Sequence, residues 1–112
     1  MGISVEQFRI LALSCPDAGE GAHHGHADFR CGGRVFASLH PDGETAMVRV
    51  APAEQAALLA QVDGCRPANG AWGRAGCTLL HLPDTGRDEA CDAVTAAWRH
   101  AAATAARRAS KK

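Results

Sequence analysis

The sequence predicts an α+β fold in which helices pack on one face of an antiparallel sheet. Two turn signals predict the antiparallel pairing: Gly32-Gly33 joins the strand-like segments 28–31 and 34–39, and Pro41-Asp-Gly-Glu precedes a strand at 45–50. Helical patterns lie before, between and after these segments. Because a sheet of this kind is commonly covered on one side only, we expect its second face to remain partly in water.

Two helices are indicated by signals at their N-termini. Ser4 followed by Gln7 forms a capping box, which predicts a first helix over about residues 5–14. Pro52 suits the first turn of a second helix that continues through 54–62. Both helices offer apolar side chains at helical spacing, so each is expected to pack on the sheet.

The remaining segments complete the predicted order of elements. Residues 17–26 are glycine-rich and are expected to form a loop, and residues 65–76 are expected to be irregular. Residues 77–82 are strand-like. An alanine-rich last helix is predicted from about 87 to 106, with Trp98 on its apolar stripe. The predicted order is helix, three strands, helix, one or two strands, helix.

The length and the charge distribution predict one domain followed by a basic tail. Its 112 residues allow one domain, assigned to residues 1–106, followed by a basic tail at 107–112 that is expected to fray. The formal net charge is zero. Through Gly86 six arginines face nine acidic residues, a charge of −3, and six basic residues face three acidic ones afterwards, a charge of +3. The tail could contact an anionic polymer, but we interpret the basic excess as favouring solubility.

The apolar pattern, the first residues and the cysteines bear on where the protein is located in the cell. It has no apolar run of membrane-spanning length, and its first residues do not resemble a secretory signal, so a cytoplasmic location is expected. The five cysteines are odd in number, widely spaced and never arranged as Cys-x-x-Cys, which predicts reduced thiols rather than a disulfide framework.

Two stretches carry a family resemblance. Asp28-Phe-Arg-Cys-Gly-Gly-Arg-Val-Phe-Ala-Ser-Leu-His, preceded by His23-His-Gly-His, resembles the signature of the MmcQ/YjbR family, and Ala71-Trp-Gly-Arg-Ala-Gly-Cys-Thr-Leu is similar to it as well. With the order of elements, the likeness covers nearly the whole chain, although the specific motifs occupy about residues 23–40 and 70–82. The chain departs from the pattern at Cys77, where relatives often have a large aromatic.

The resemblance implies a fold and a partner. Members are similar in fold to the frataxin-like CyaY group. They have been proposed to bind DNA through a paired-wing arrangement of hairpins, and no enzyme activity is established for them. By this resemblance the chain is expected to be a non-catalytic, DNA-binding protein without a cofactor.

Five residues are candidates for nucleic-acid contact. Arg30 and Arg34 flank the Gly-Gly turn, and Arg49 and Arg74 would extend a positive stripe over the open face. Trp72 would stack on an exposed base or lie over a sugar edge. In the alternative interpretation the arginines are ordinary solvated residues, and Trp72 caps the core.

A metal site is a further hypothesis. His23, His24 and His26, with Cys31 and His40 nearby, are residue types that suit zinc, but their spacing matches no standard site, and roles in loop and cap are the simpler interpretation. The likeness to frataxin raises iron binding through an acidic ridge. The first helix supplies only Glu6 for such a ridge, so we expect no iron site.

Two pairs of side chains are candidates for catalysis. His26 with Asp28, or Ser38 with His40, would make acid–base or nucleophile pairs, but no third group or oxyanion donor can be assigned to them, so an enzyme is not expected. The rival to DNA binding is a small-molecule or protein-binding domain, with the 23–34 region and Trp72 as the walls of a cleft. A concave pocket between these segments, with arginines pointing apart, would favour this rival.

Overall fold

The computed structural model describes residues 2–23 and 25–110. The described residues form four α helices and six strands. The helices are α1 (Val5–Leu13), α2 (Pro52–Gln61), α3 (Gly70–Arg74) and α4 (Arg87–Ser110), and Leu82–Asp84 form a short 3-10 turn. The strands are β1 (Gly19–His23), β2 (His26–Cys31), β3 (Arg34–Leu39), β4 (Thr45–Arg49), β5 (Cys65–Pro67) and β6 (Cys77–His81).

The strands form one sheet in the order β1-β2-β3-β4-β6-β5, and every neighbouring pair is antiparallel. The predicted hairpin is present, since Cys31 pairs with Arg34 across the two-residue turn. Both turn glycines have positive φ values, 59° at Gly32 and 80° at Gly33, which glycine adopts without a Cβ clash. The α+β fold with an antiparallel sheet is therefore confirmed.

Helices α1 and α4 cover one face of the sheet. The rings of Phe8 and Phe29 meet edge to face with centroids 6.1 Å apart, and Phe36 is fully buried in the same core. Helix α4 contributes small buried side chains, among them Ala93 and Ala97, which allow its axis to lie close to the strands. The core therefore lies between these two helices and the inner sheet face.

Local signals explain the first two helices. In the capping box the Gln7 backbone N–H donates to the Ser4 hydroxyl at 3.1 Å, and the Ser4 N–H donates to the Gln7 side chain at 2.8 Å. Helix α2 begins at Pro52, as predicted. The Trp98 indole N–H donates to the Pro16 carbonyl at 2.8 Å, which ties α4 to the segment after α1.

Strand β1 corrects the prediction of a loop over residues 17–26. Its glycines pair along β2, with Gly21 opposite Asp28. Glu20 forms an ion pair with Arg9 of α1, which anchors the strand to the helix layer. Backbone pairing and this long-range contact outweigh the low strand propensity of glycine, a case where tertiary context decides.

The other differences lie at 65–76 and at the C-terminus. The segment predicted to be irregular contains β5 and α3, both held against β6. Helix α4 continues through Ser110 instead of ending at Ala106, so residues 107–110 of the predicted tail are helical. Lys111 and Lys112 lie outside the described residues. No helix in the described part of the chain is long and apolar enough to cross a membrane.

Candidate functional site

The sheet face opposite α1 and α4 carries a cleft. Side chains alternate along β2, so that Phe29 and Cys31 enter the core while Asp28 and Arg30 lie on the open face. The cleft has a volume of about 730 Å³. Its lining comes from β2, β3, β4, α3 and the turn after β3, and includes His26, Arg30, Val35, His40, Met47 and Trp72.

Trp72 stands at the edge of this cleft with 68% of its surface exposed. Its position depends on α3, which the buried side chain of Gln55 fastens to α2. The Gln55 amide donates to the carbonyl oxygens of Gly73 at 2.9 Å and Cys77 at 3.1 Å. A core-capping role for Trp72 is therefore wrong, and its ring is available on the open face.

Arg30 also lies in the cleft, but it is bound to a carboxylate. Its Nε donates to Asp28 Oδ1 at 2.9 Å and its Nη2 donates to Asp28 Oδ2 at 3.0 Å. This hydrogen-bonded pair raises the pKa of Arg30, with the charge of Asp28 adding to the effect. Gly21 makes space for the pair, because a Cβ there would lie 2.9 Å from Asp28 Oδ1.

Arg34 lies on the other side of the sheet from Arg30. Arg34 pairs with Cys31, whereas Arg30 pairs with Val35, and residues directly opposite each other share a face. The predicted juxtaposition of the two arginines beside the Gly-Gly turn is therefore wrong. The turn instead approaches α4, since a Cβ on Gly32 would lie 2.6 Å from Cβ of Ala105.

This approach collects positive charge at one end of the sheet. Burial lowers the pKa of Arg34, and the nearby charges of Arg49 and Arg108 lower it further. Burial also lowers the pKa of His100, and the charges of Arg34, Arg49 and Arg107 add to that, while Glu54 opposes it. We call these five residues, Arg34, Arg49, His100, Arg107 and Arg108, the basic end.

Two arginines of the basic end have no carboxylate partner among the described residues. Within the described chain neither Arg34 nor Arg49 forms an ion pair. Arg49 Nε is buried and has no hydrogen-bond partner among the described residues. Such a group is ordinarily satisfied by an acceptor, so the arrangement leaves cationic donors available to an anion.

The five residues predicted to contact nucleic acid therefore lie in three separate places. Arg34 and Arg49 come together, Arg30 and Trp72 line the cleft, and Arg74 is exposed in the last turn of α3. The sequence reasoning missed the contribution of α4, because its basic C-terminal residues were taken for a tail. The charge excess after Gly86 was the available signal.

The structure also shows where several of the candidate metal-binding and catalytic residues lie. His24 and the side chain of His23 lie outside what the structure describes, and among the described side chains no three of His, Cys, Asp or Glu are grouped to hold a metal ion. His26 and His40 both line the cleft. In the described chain Ser38 and His40 share no hydrogen bond, and both oxygens of Asp28 accept from Arg30.

These features define a small α+β domain with a helix-covered sheet face and a cleft on the other face. The sequence profile of the YjbR family matches residues 13–100, and the chain belongs to this family. The family resemblance carried by the Gly-Gly hairpin and the Trp72 segment is therefore confirmed. A search of curated proteins gave no match.

Proposed function

We propose that this protein is a non-catalytic nucleic-acid-binding domain that holds the phosphate backbone at its basic end. One observation carries the proposal: Arg34 and Arg49 lie close enough for their charges to interact, without a carboxylate partner in the described chain. Like charges held together destabilise a folded protein, and a bound anion relieves the repulsion. Membership of the YjbR family supports the same partner.

Phosphate suits the donors of the basic end. A guanidinium presents a fixed fork of N–H groups that matches phosphate oxygens, and several arginines at one end of the sheet can contact several phosphates of one nucleic acid. The site proposed here replaces the arginine stripe expected on the open face, because Arg30 is already bound to Asp28. Contact with phosphates alone would position the duplex without reading its sequence.

The zero net charge of the chain is compatible with a local site. In α4 the first turn carries Asp88 and Glu89, and the last turn carries Arg107 and Arg108. This polarity follows the helix dipole and separates the acidic and basic ends by most of the helix length. Association is therefore expected to be weak, oriented and sensitive to salt.

We also propose that the domain acts in the cytoplasm. All five cysteines are free thiols, and all lie in the described part of the chain. Disulfides are rare in reducing compartments, so free thiols support this location.

The test is a fluorescence anisotropy titration of a labelled DNA duplex of about 20 base pairs, repeated between about 50 and 200 mM salt. Each neutralised phosphate contributes about −0.9 to the logarithmic salt slope, so contacts from Arg34, Arg49 and Arg108 predict a slope of about −2.7. Arg34→Gln and Arg108→Gln should each reduce the slope by about one.

The matched control is Arg66→Gln, because Arg66 is exposed on β5, the edge strand at the end of the sheet away from β1. It should leave the slope unchanged. Absence of binding at the lowest salt, or equal losses in the Arg34 and Arg66 variants, would overturn the proposal.

A further inference from the structure

We propose that the open-face cleft is a separate binding site for a small molecule that combines a planar aromatic ring with one anionic group, a carboxylate or a phosphate. The site shares none of the basic-end residues, so it does not depend on nucleic-acid binding. Its volume of about 730 Å³ lies within the usual range of small-molecule sites.

The aromatic part of the ligand is inferred from the cleft walls. Val35 and Met47 supply apolar surface, and Trp72 presents an indole of which 68% is exposed at the rim. A smaller recess of about 310 Å³ continues beside Trp72 and is lined by Leu79 and Cys77. An indole with apolar surface on its flanks favours a stacked planar ring, and the methionine adapts to its outline.

The anionic part is inferred from the donors that remain. Asp28 holds Arg30 through Nε and Nη2, so Nη1 of Arg30 carries N–H groups with no partner among the described residues. The carboxylate thereby fixes the orientation of the guanidinium, which reduces the entropy lost when a ligand binds. A guanidinium presented in this way favours a carboxylate or a phosphate oxygen.

An unpartnered histidine nitrogen also indicates a ligand in the cleft. His26 lines the cleft, and its Nδ1 is buried without a hydrogen-bond partner in the described chain. Buried polar atoms are usually satisfied, so this nitrogen indicates a missing partner. Asp28 is the carboxylate in the lining, and both of its oxygens already accept from Arg30. The charge of Asp28 is therefore compensated by Arg30, and the free N–H groups of Arg30 favour an anion over a cation.

The test follows the indole N–H signal of Trp72 by two-dimensional ¹H–¹⁵N NMR. The chain has two tryptophans, and Trp72→Leu assigns the signal by its loss, at an exposed position where folding is expected to be retained. The probes are indole-3-acetate and adenosine monophosphate, each compared with a neutral counterpart, indole-3-acetamide and adenosine. The two anions distinguish a carboxylate ligand from a phosphate ligand.

We expect at least one anion to shift the Trp72 signal and to bind about tenfold more tightly than its neutral counterpart, since hydrogen bonds to a charged group are the stronger ones. Arg30→Gln should abolish this preference, and Arg34→Gln, at the basic end, should preserve it. If neither anion shifts the signal, or if the neutral compounds bind equally well, the inference is overturned. Because Arg34→Gln weakens duplex binding only, failure of one proposal is distinguishable from failure of the other.

Discussion

The guanidinium of Arg30 and the carboxylate of Asp28 form a two-point ion pair on the open face, with distances of 2.9 Å and 3.0 Å. The two residues are two apart on β2, so their side chains leave the same side of the strand. Gly21 on the neighbouring strand leaves the space that the pair occupies. The pair removes one predicted phosphate contact and supplies an oriented donor to the cleft.

The first prediction is that Arg34 contributes to duplex affinity and Arg30 does not. Arg30→Gln should change the duplex affinity less than about twofold, because Arg30 lies in the cleft on the open face and outside the basic end. Arg34→Gln should weaken binding about tenfold at low salt, since it removes one released counterion. Anisotropy titrations of the two variants under identical salt conditions make the comparison. Equal losses would show that Arg30 contacts phosphate despite its bond to Asp28.

The second prediction concerns the fastening of α3. Gln55→Met keeps the side-chain volume but removes the donors to Gly73 and Cys77, so the free energy of unfolding should fall by about 1–3 kcal/mol. Gln61→Met, at an exposed site on the same helix, should change it by less than about 0.5 kcal/mol. Urea unfolding measures both. A similar small effect in the two variants would mean that α3 is held by its backbone contacts alone.

Elements with local signals were predictable from sequence. The capping box at Ser4 and Gln7 and the paired glycines of the β2–β3 turn act within a few residues, and the structure has both. The short helix α3 has no such signal. It depends on Gln55, 18 residues before Gly73, so no local pattern announces it.

The candidate site was less predictable because its parts meet over long distances in sequence. The approach of Gly32 to Ala105 brings α4 to the hairpin, and because α4 continues to Ser110, the first residues of the presumed tail become part of the basic end. The Arg30 pair is different. Asp28 and Arg30 were both visible two residues apart on a predicted strand, so their mutual neutralisation was available from the alternation of side chains.

The third prediction concerns Gly76, which lies between α3 and β6. Its φ is +108°, and a Cβ there would lie 1.8 Å from the carbonyl oxygen of Val50. Gly76→Ala should therefore destabilise the fold by more than about 3 kcal/mol or prevent folding. Gly43→Ala is the matched control, because Gly43 also has positive φ, +74°, but no atom within 4 Å of the added Cβ.

The Gly43 variant should lose only about 1–2 kcal/mol, the cost of the left-handed backbone for a residue with a Cβ. Thermal unfolding of the two proteins separates backbone strain from steric conflict. Equal losses would show that the Val50 carbonyl moves aside without cost.

The fourth prediction concerns two histidines whose pKa values shift in opposite directions. His81 Nδ1 lies 2.7 Å from Asp84 Oδ2, and His81 Nε2 lies 3.4 Å from Glu44 Oε2. Both hydrogen bonds raise the pKa of His81, and the bond to Asp84 has the larger effect. Burial, followed by the charges of Arg34, Arg49 and Arg107, lowers the pKa of His100. One residue favours its proton in the folded state, and the other disfavours it.

The signs of the two effects on stability follow from linkage. A raised folded pKa stabilises the protein below the unfolded value of about 6.5, and this stabilisation is lost as pH rises through the folded pKa. A lowered folded pKa destabilises the protein when pH falls below the unfolded value, and the penalty is complete once pH is below the folded pKa. The free energy of unfolding, measured from about pH 5 to pH 8.5, should therefore give opposite pH slopes when wild type is compared with His81→Gln and with His100→Gln. Each comparison cancels the groups common to both proteins, so slopes of the same sign would contradict the assignment of His100 to the basic end.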